Sequence, residues 1–142
     1  MRVKFYPMLP AMIAATAALS LSACVPTLTT ENAQSTPTDT VCANIVGANI
    51  GNSPASVGDM GLAELKRRGL FTPRELDAIR AGKIYVGMSE AAMYCSIGAF
   101  DYGVNTTTTA AGVTKQYLVG DGKYNKRIYV YTTNGRVSAV QS

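Results

Sequence analysis

Thiol chemistry is the chemistry this sequence places at definable positions. The chain has three cysteines, Cys24, Cys42 and Cys95, and no histidine. Without imidazole, the commonest general base and metal ligand is missing. The carboxylates Asp77, Glu90, Asp101 and Asp121 fall at helix starts and turns, where capping, dipole and turn roles account for them. Gly120-Asp121-Gly122-Lys123 has the wrong glycine spacing for a phosphate loop and precedes a strand pattern, not a helix. This inventory predicts a protein that is not an enzyme and has neither a metal nor a cofactor.

Cys24 closes a leader. Arg2 and Lys4 are followed by an apolar run from Met8 to Leu19 and then by small residues, the layout of a secretory signal. The run contains Pro10, is short for a bilayer span and lacks a basic stop-transfer flank, so no membrane-spanning helix is expected to remain. Leu21-Ser22-Ala23-Cys24 resembles the lipobox of bacterial lipoproteins. That resemblance implies cleavage after residue 23 and fatty acylation, of the palmitate type, on Cys24. Two or more acyl chains give a lasting anchor. By resemblance to enteric sorting, Val25 in place of an acidic residue implies the outer membrane, with the domain expected in the periplasm. The alternative is an ordinary signal peptide cut near Ala23, with Cys24 left as a thiol or as half a disulfide.

Without residues 1–23, 119 of the 142 residues remain, enough for one small domain and a tether. Eleven basic and nine acidic residues are then left, a net charge of +2. The basic clusters Lys66-Arg67-Arg68 and Lys123 to Arg127 read as solvated faces, so no nucleic-acid partner is expected. With Cys24 given to lipid, Cys42 and Cys95 form an even pair in an oxidising compartment, and a disulfide is the natural expectation. Closing a loop of about 50 residues would contribute on the order of 4 kcal/mol in the chain-entropy model. Two buried thiols too far apart to bond is the other reading.

The elements that must position these groups follow in chain order. Residues 24–40 are polar, with two prolines and no apolar period, and read as a flexible tether; the domain is expected over residues 41–142. A short helix is expected around Cys42, turns over residues 51–58, and a helix from Asp59 to Arg68. Thr72-Pro73-Arg74-Glu75 spells a capping box with proline at the first helical position. Ser89 can cap a two-turn helix ending at Gly98. Tyr102 to Val113 reads as a loop. Strands are predicted at residues 115–119, 127–132 and 136–140, with Asn134-Gly135 as a type I′ hairpin turn. That turn would set Val130 opposite Ala139 and Thr132 opposite Val137, with Tyr129 and Tyr131 on the other face. The fold class is therefore α+β, two layers, short N-terminal helices on a three-stranded antiparallel meander.

From Thr72 to Ser142 the sequence resembles the SmpA/OmlA (BamE-like) family of small envelope lipoproteins linked to outer-membrane β-barrel assembly. The carriers are Gly87-Met88-Ser89, Met93, Ile97, Gly98, and Ile128-Tyr129-Val130-Tyr131 with Asn134-Gly135-Arg136-Val137. An added segment, Val41 to Gly69, precedes the matching region, and Phe100 stands where the family usually has proline. The resemblance implies a non-catalytic scaffold or assembly factor whose partners are envelope proteins, with no small-molecule substrate. Phe100, Tyr102, Tyr117, Tyr129 and Tyr131 are the candidate partner-contacting residues. A protein-binding inhibitor of a host or competitor enzyme is the alternative on a similar fold.

Overall fold

The computed structural model describes residues 25–98, 104–121 and 126–141; the expected leader with Cys24, and Phe100 and Tyr102, lie outside the described residues. Four helices precede a four-stranded antiparallel sheet. The helices are α1 (Thr38–Asn49), α2 (Ala55–Arg68), α3 (Pro73–Arg80) and α4 (Glu90–Ile97). The strands are β1 (Val104–Thr109), β2 (Gly112–Asp121), β3 (Lys126–Thr133) and β4 (Arg136–Gln141), paired in chain order. The α+β class stands, and the three-stranded expectation is corrected to four.

Helix α1 is longer than expected around Cys42. Val41, Cys42 and Ile45 share a buried face, and α2 lies against it. Helix α2 starts at Ala55, four residues before its predicted start, because Gly58 and Gly61 serve as contact points and not as breakers. A Cβ on Gly61 would lie 2.6 Å from Ile45 Cγ1, so glycine allows the two helices to cross closely there.

The tether expectation is corrected for residues 25–36. Leu28 is 3% exposed and Ala33 is buried with it. A backbone turn over residues 30–35 folds the segment onto α1 and α2. A single leucine and an alanine in a polar stretch give no periodicity, so the docking left little trace in the sequence.

At α3 the capping box forms as predicted: Thr72 Oγ1 accepts the Glu75 amide at 3.2 Å, and Glu75 Oε2 accepts the Thr72 amide at 2.9 Å. At α4, Ser89 Oγ accepts the Ala92 amide at 3.2 Å. Asn134 and Gly135 both have positive φ, 49° and 76°, as a type I′ turn requires. Thr132 pairs with Val137 as expected, but a shift between Tyr131 and Thr132 puts Ala139 opposite Tyr131 and Val140 opposite Val130. Ser138 is the residue left over, and the bulge it makes corrects the predicted Val130–Ala139 pair.

One contiguous core runs from Leu28, Val41, Ile45 and Leu65 through Ile79, Met88 and Met93 to Tyr117, Val130 and Val137. Cys42 and Cys95 are within it, disulfide-bonded, their Cα atoms 4.4 Å apart. The bond joins α1 to α4 directly. Among the described residues no helix is long and apolar enough to cross a membrane.

Candidate functional site

Two carboxylates, Glu64 and Glu90, tie elements together. Glu64 on α2 accepts from Arg67 Nη2 at 2.6 Å and from Arg68 Nε at 2.7 Å, and these bonds hold its pKa at about 2. Arg68 also donates to Ala33 O, Thr36 O and Thr38 Oγ1 at 2.6–3.0 Å. It is therefore a clamp on the N-terminal segment, which corrects its reading as part of a solvated basic face.

Glu90 begins α4 and meets the sheet. Its Oε1 accepts from Lys115 Nζ at 2.7 Å and from the Tyr117 hydroxyl at 2.5 Å; its Oε2 accepts from Thr132 Oγ1 at 3.0 Å. Burial raises its pKa, but the donors from Lys115, Tyr117 and Thr132 outweigh burial and hold it below the usual carboxylate value. Burial, then the Glu90 carboxylate, raises the Tyr117 pKa, so its hydroxyl stays protonated as a donor. Each oxygen of this group is engaged, and among the described residues no cluster of metal-ligating side chains occurs.

Tyr117 is thus corrected as a partner-contacting residue. It is 1% exposed, and its ring meets Tyr94 edge-on at 5.6 Å. Its parity with Lys115 and Val119 puts it on the face that carries Val130 and Thr132. Tyr129 and Tyr131 lie on the opposite face, half-buried among strand neighbours. There the Tyr131 hydroxyl accepts from Gln116 Nε2 at 2.9 Å and donates to Gln141 Oε1 at 3.3 Å. The structure separates the candidate tyrosines: Tyr129 and Tyr131 share a face, while Tyr117 belongs to the core.

Strand β1 is the element the sequence reading missed. It occupies half of the Tyr102–Val113 stretch expected as a loop, and all six of its residues are exposed. Val104, Thr106 and Thr108 lie on the same side as Tyr117, Lys115 and Val113, yet nothing among the described residues buries them. With both faces wet, the strand shows no apolar alternation. The signal available was the β-branched run Thr106 to Thr109 followed by Gly112.

The two edges of the sheet differ. Along β4, the Gly87 amide donates to Val137 O at 2.7 Å, the Val137 amide to Met88 O at 2.9 Å, and the Glu90 amide to Gly135 O at 2.8 Å. Residues 87–90 thus cover the start of that edge, with Ser89 bridged to Arg136. Among the described residues strand β1 pairs only with β2, and its sequence has no proline or charge that would blunt an edge.

Two grooves mark the helical surface. One of about 560 Å³ between α2 and α3 is lined by Leu62, Phe71 and Leu76 with Lys66, Asp77 and Arg80 around it. The other, about 320 Å³, lies between α1 and α4 beside the disulfide, with Ala43, Phe71, Ala91 and Tyr94. Comparison with protein-family models, with curated proteins and with solved structures gives no match.

Proposed function

We propose that this chain is a non-catalytic, lipid-anchored envelope protein that docks other envelope proteins by strand addition at β1. The observation that carries the reading is the β1 edge: six exposed residues, unblunted, on a sheet whose other edge is partly covered. An extended partner segment adding there would gain main-chain hydrogen bonds, with the Thr106 to Thr109 side chains supplying contacts on both faces.

The leader and the lipobox-like Leu21-Ser22-Ala23-Cys24 support acylation and an outer-membrane location. The Glu90 junction and the shared core support a two-layer arrangement, helices on one face of the sheet. The SmpA/OmlA likeness, carried by residues 87–98 and 128–137, supports a scaffold or assembly role. Tyr129 and Tyr131 offer a second contact face.

A photo-crosslinking residue at Thr107 in intact cells tests the docking mode. The expected result is one or a few crosslinked envelope proteins, lost when Thr106→Lys and Thr108→Lys are introduced together. Undiminished crosslinking in that double variant would refute strand addition. Capture of a single soluble enzyme by a form starting at Val25 would favour the inhibitor reading.

A further inference from the structure

Pro26 and Leu28 are gripped by one side chain. Asn44 Nδ2 donates to Pro26 O at 3.0 Å and to Thr40 O at 2.9 Å, and Asn44 Oδ1 accepts the Leu28 amide at 3.1 Å. Asn44 is 5% exposed, so this is a built-in clasp and not a surface contact. Leu28 enters the crossing of α1 and α2, its Cδ1 lying 3.4 Å from where a Cβ on Gly61 would be. Asn32 then closes a turn, its Oδ1 accepting the Thr29 amide at 2.8 Å and its Nδ2 donating to Thr27 O at 3.1 Å. Arg68 secures the far end through Ala33 O and Thr36 O.

Chain geometry then limits where a group on Cys24 can be. Successive Cα atoms are about 3.8 Å apart, so the Cys24 Cα is within about 8 Å of that of Pro26. A free chain over residues 24–40 would span roughly 20–25 Å on average and leave the domain to tumble.

We infer that the domain sits directly on the lipid surface, with the α1–α2 hairpin toward the bilayer and the β1 edge turned away from it. The inference rests on the reading of Cys24 as the acylated residue. The occupant of the α1–α2 side is phospholipid, because the stretch that leads to the anchor ends there. The orientation follows from the order of contacts. Helix α1 packs on α2, α3 and α4, and α2 packs on α1 and α3, whereas α4 and residues 87–90 are what meet the strands. Among the described residues no hydrogen bond joins α1 or α2 to a strand.

The test uses full-length acylated protein, purified from membranes and reconstituted in vesicles of phosphatidylethanolamine and phosphatidylglycerol. A fluorophore is placed at Thr30 or at Thr107 on β1, both exposed, and energy transfer to a headgroup-labelled lipid is measured. The expected result is several-fold stronger transfer from Thr30. Inserting ten Gly-Ser residues between Val25 and Pro26, which leaves the packing untouched, should bring the two positions close to equal. Equal transfer from both positions before the insertion would overturn the inference while leaving the anchor intact. Mass spectrometry of the same sample separates the two ideas: an N-terminus without acyl chains removes the lipoprotein reading itself, and this inference with it.

Discussion

Glu75 Oε1 accepts the Ser89 amide at 2.9 Å while Oε2 of the same carboxylate accepts the Thr72 amide, so one side chain ties together the starts of α3 and α4. It is 6% exposed. Removing it would leave the Thr72 and Ser89 amides, both in part-buried bonds, without their acceptor, at a cost of about 1–3 kcal/mol each. Glu75→Ala is therefore expected to destabilise the domain by about 3 kcal/mol in urea unfolding, and Glu75→Gln, which keeps one acceptor, by about half as much.

The same carboxylate sets an acid limit. Burial alone would raise its pKa, but the Thr72 and Ser89 donors hold it at about 2 in the fold, against an ordinary 4.5. Because the folded value is the lower one, the stabilisation is fully present above pH 4.5 and is lost as the pH falls toward 2. The loss amounts to about 3 kcal/mol. Glu90, also held low, adds to it in the same direction. Thermal melts between pH 6 and 2 should show a falling midpoint, with a shallower fall in Glu75→Gln.

Cys42 and Cys95 close a loop across a separation of 53 residues, worth about 4 kcal/mol in the chain-entropy model. Reduction, or Cys42→Ala with Cys95→Ala, should lower stability by about that amount and loosen α1 first. Non-reduced digests should give the two cysteine peptides linked; recovery of both as free thiols after alkylation in intact cells would contradict the bond.

Gly112 has φ near 131°, and a Cβ there would meet Asn134 Oδ1 at 2.1 Å. Gly112→Ala should thus cost about 2 kcal/mol or more, combining backbone strain with a steric clash. Hydrogen exchange in β1 and the start of β2 should accelerate, whereas α1 and α2 should keep their protection.

Much of this structure was legible where the signal is local. The α3 and α4 caps and the Asn134-Gly135 turn depend on residues within three or four positions of one another, so their side chains announce them. What was hidden depends on distant partners. Leu28 is one apolar residue in a polar stretch, and its socket is made by Ile45 and Gly61. Tyr117 looked available for binding because aromatic residues serve both cores and interfaces; only its pairing with Val130 and its bond to Glu90 decide between them. The register past Thr132 slipped by one because Ser138 is an extra residue in β4, and side-chain alternation alone does not announce such a bulge. Among the candidate site residues, the Cys42–Cys95 pair could be expected from cysteine parity, but the β1 edge left only its β-branched run as a trace, because a strand that buries nothing shows no alternation.

Asn134 joins the two ends of the sheet that point the same way. Its amide donates to Val113 O at 2.9 Å and its Oδ1 accepts the Val113 amide at 3.0 Å, so the β1–β2 turn is latched to the β3–β4 turn. Gly135 O in turn receives the Glu90 amide at 2.8 Å, at the start of α4. A partner tugging on β1 would therefore load a continuous line of hydrogen bonds through Val113, Asn134 and Gly135 into α4, and from α4 through Cys95 to Cys42 in α1. Of the side-chain links in that line only the disulfide is covalent, and it passes the load to the helix whose Asn44 clasps the chain next to Cys24.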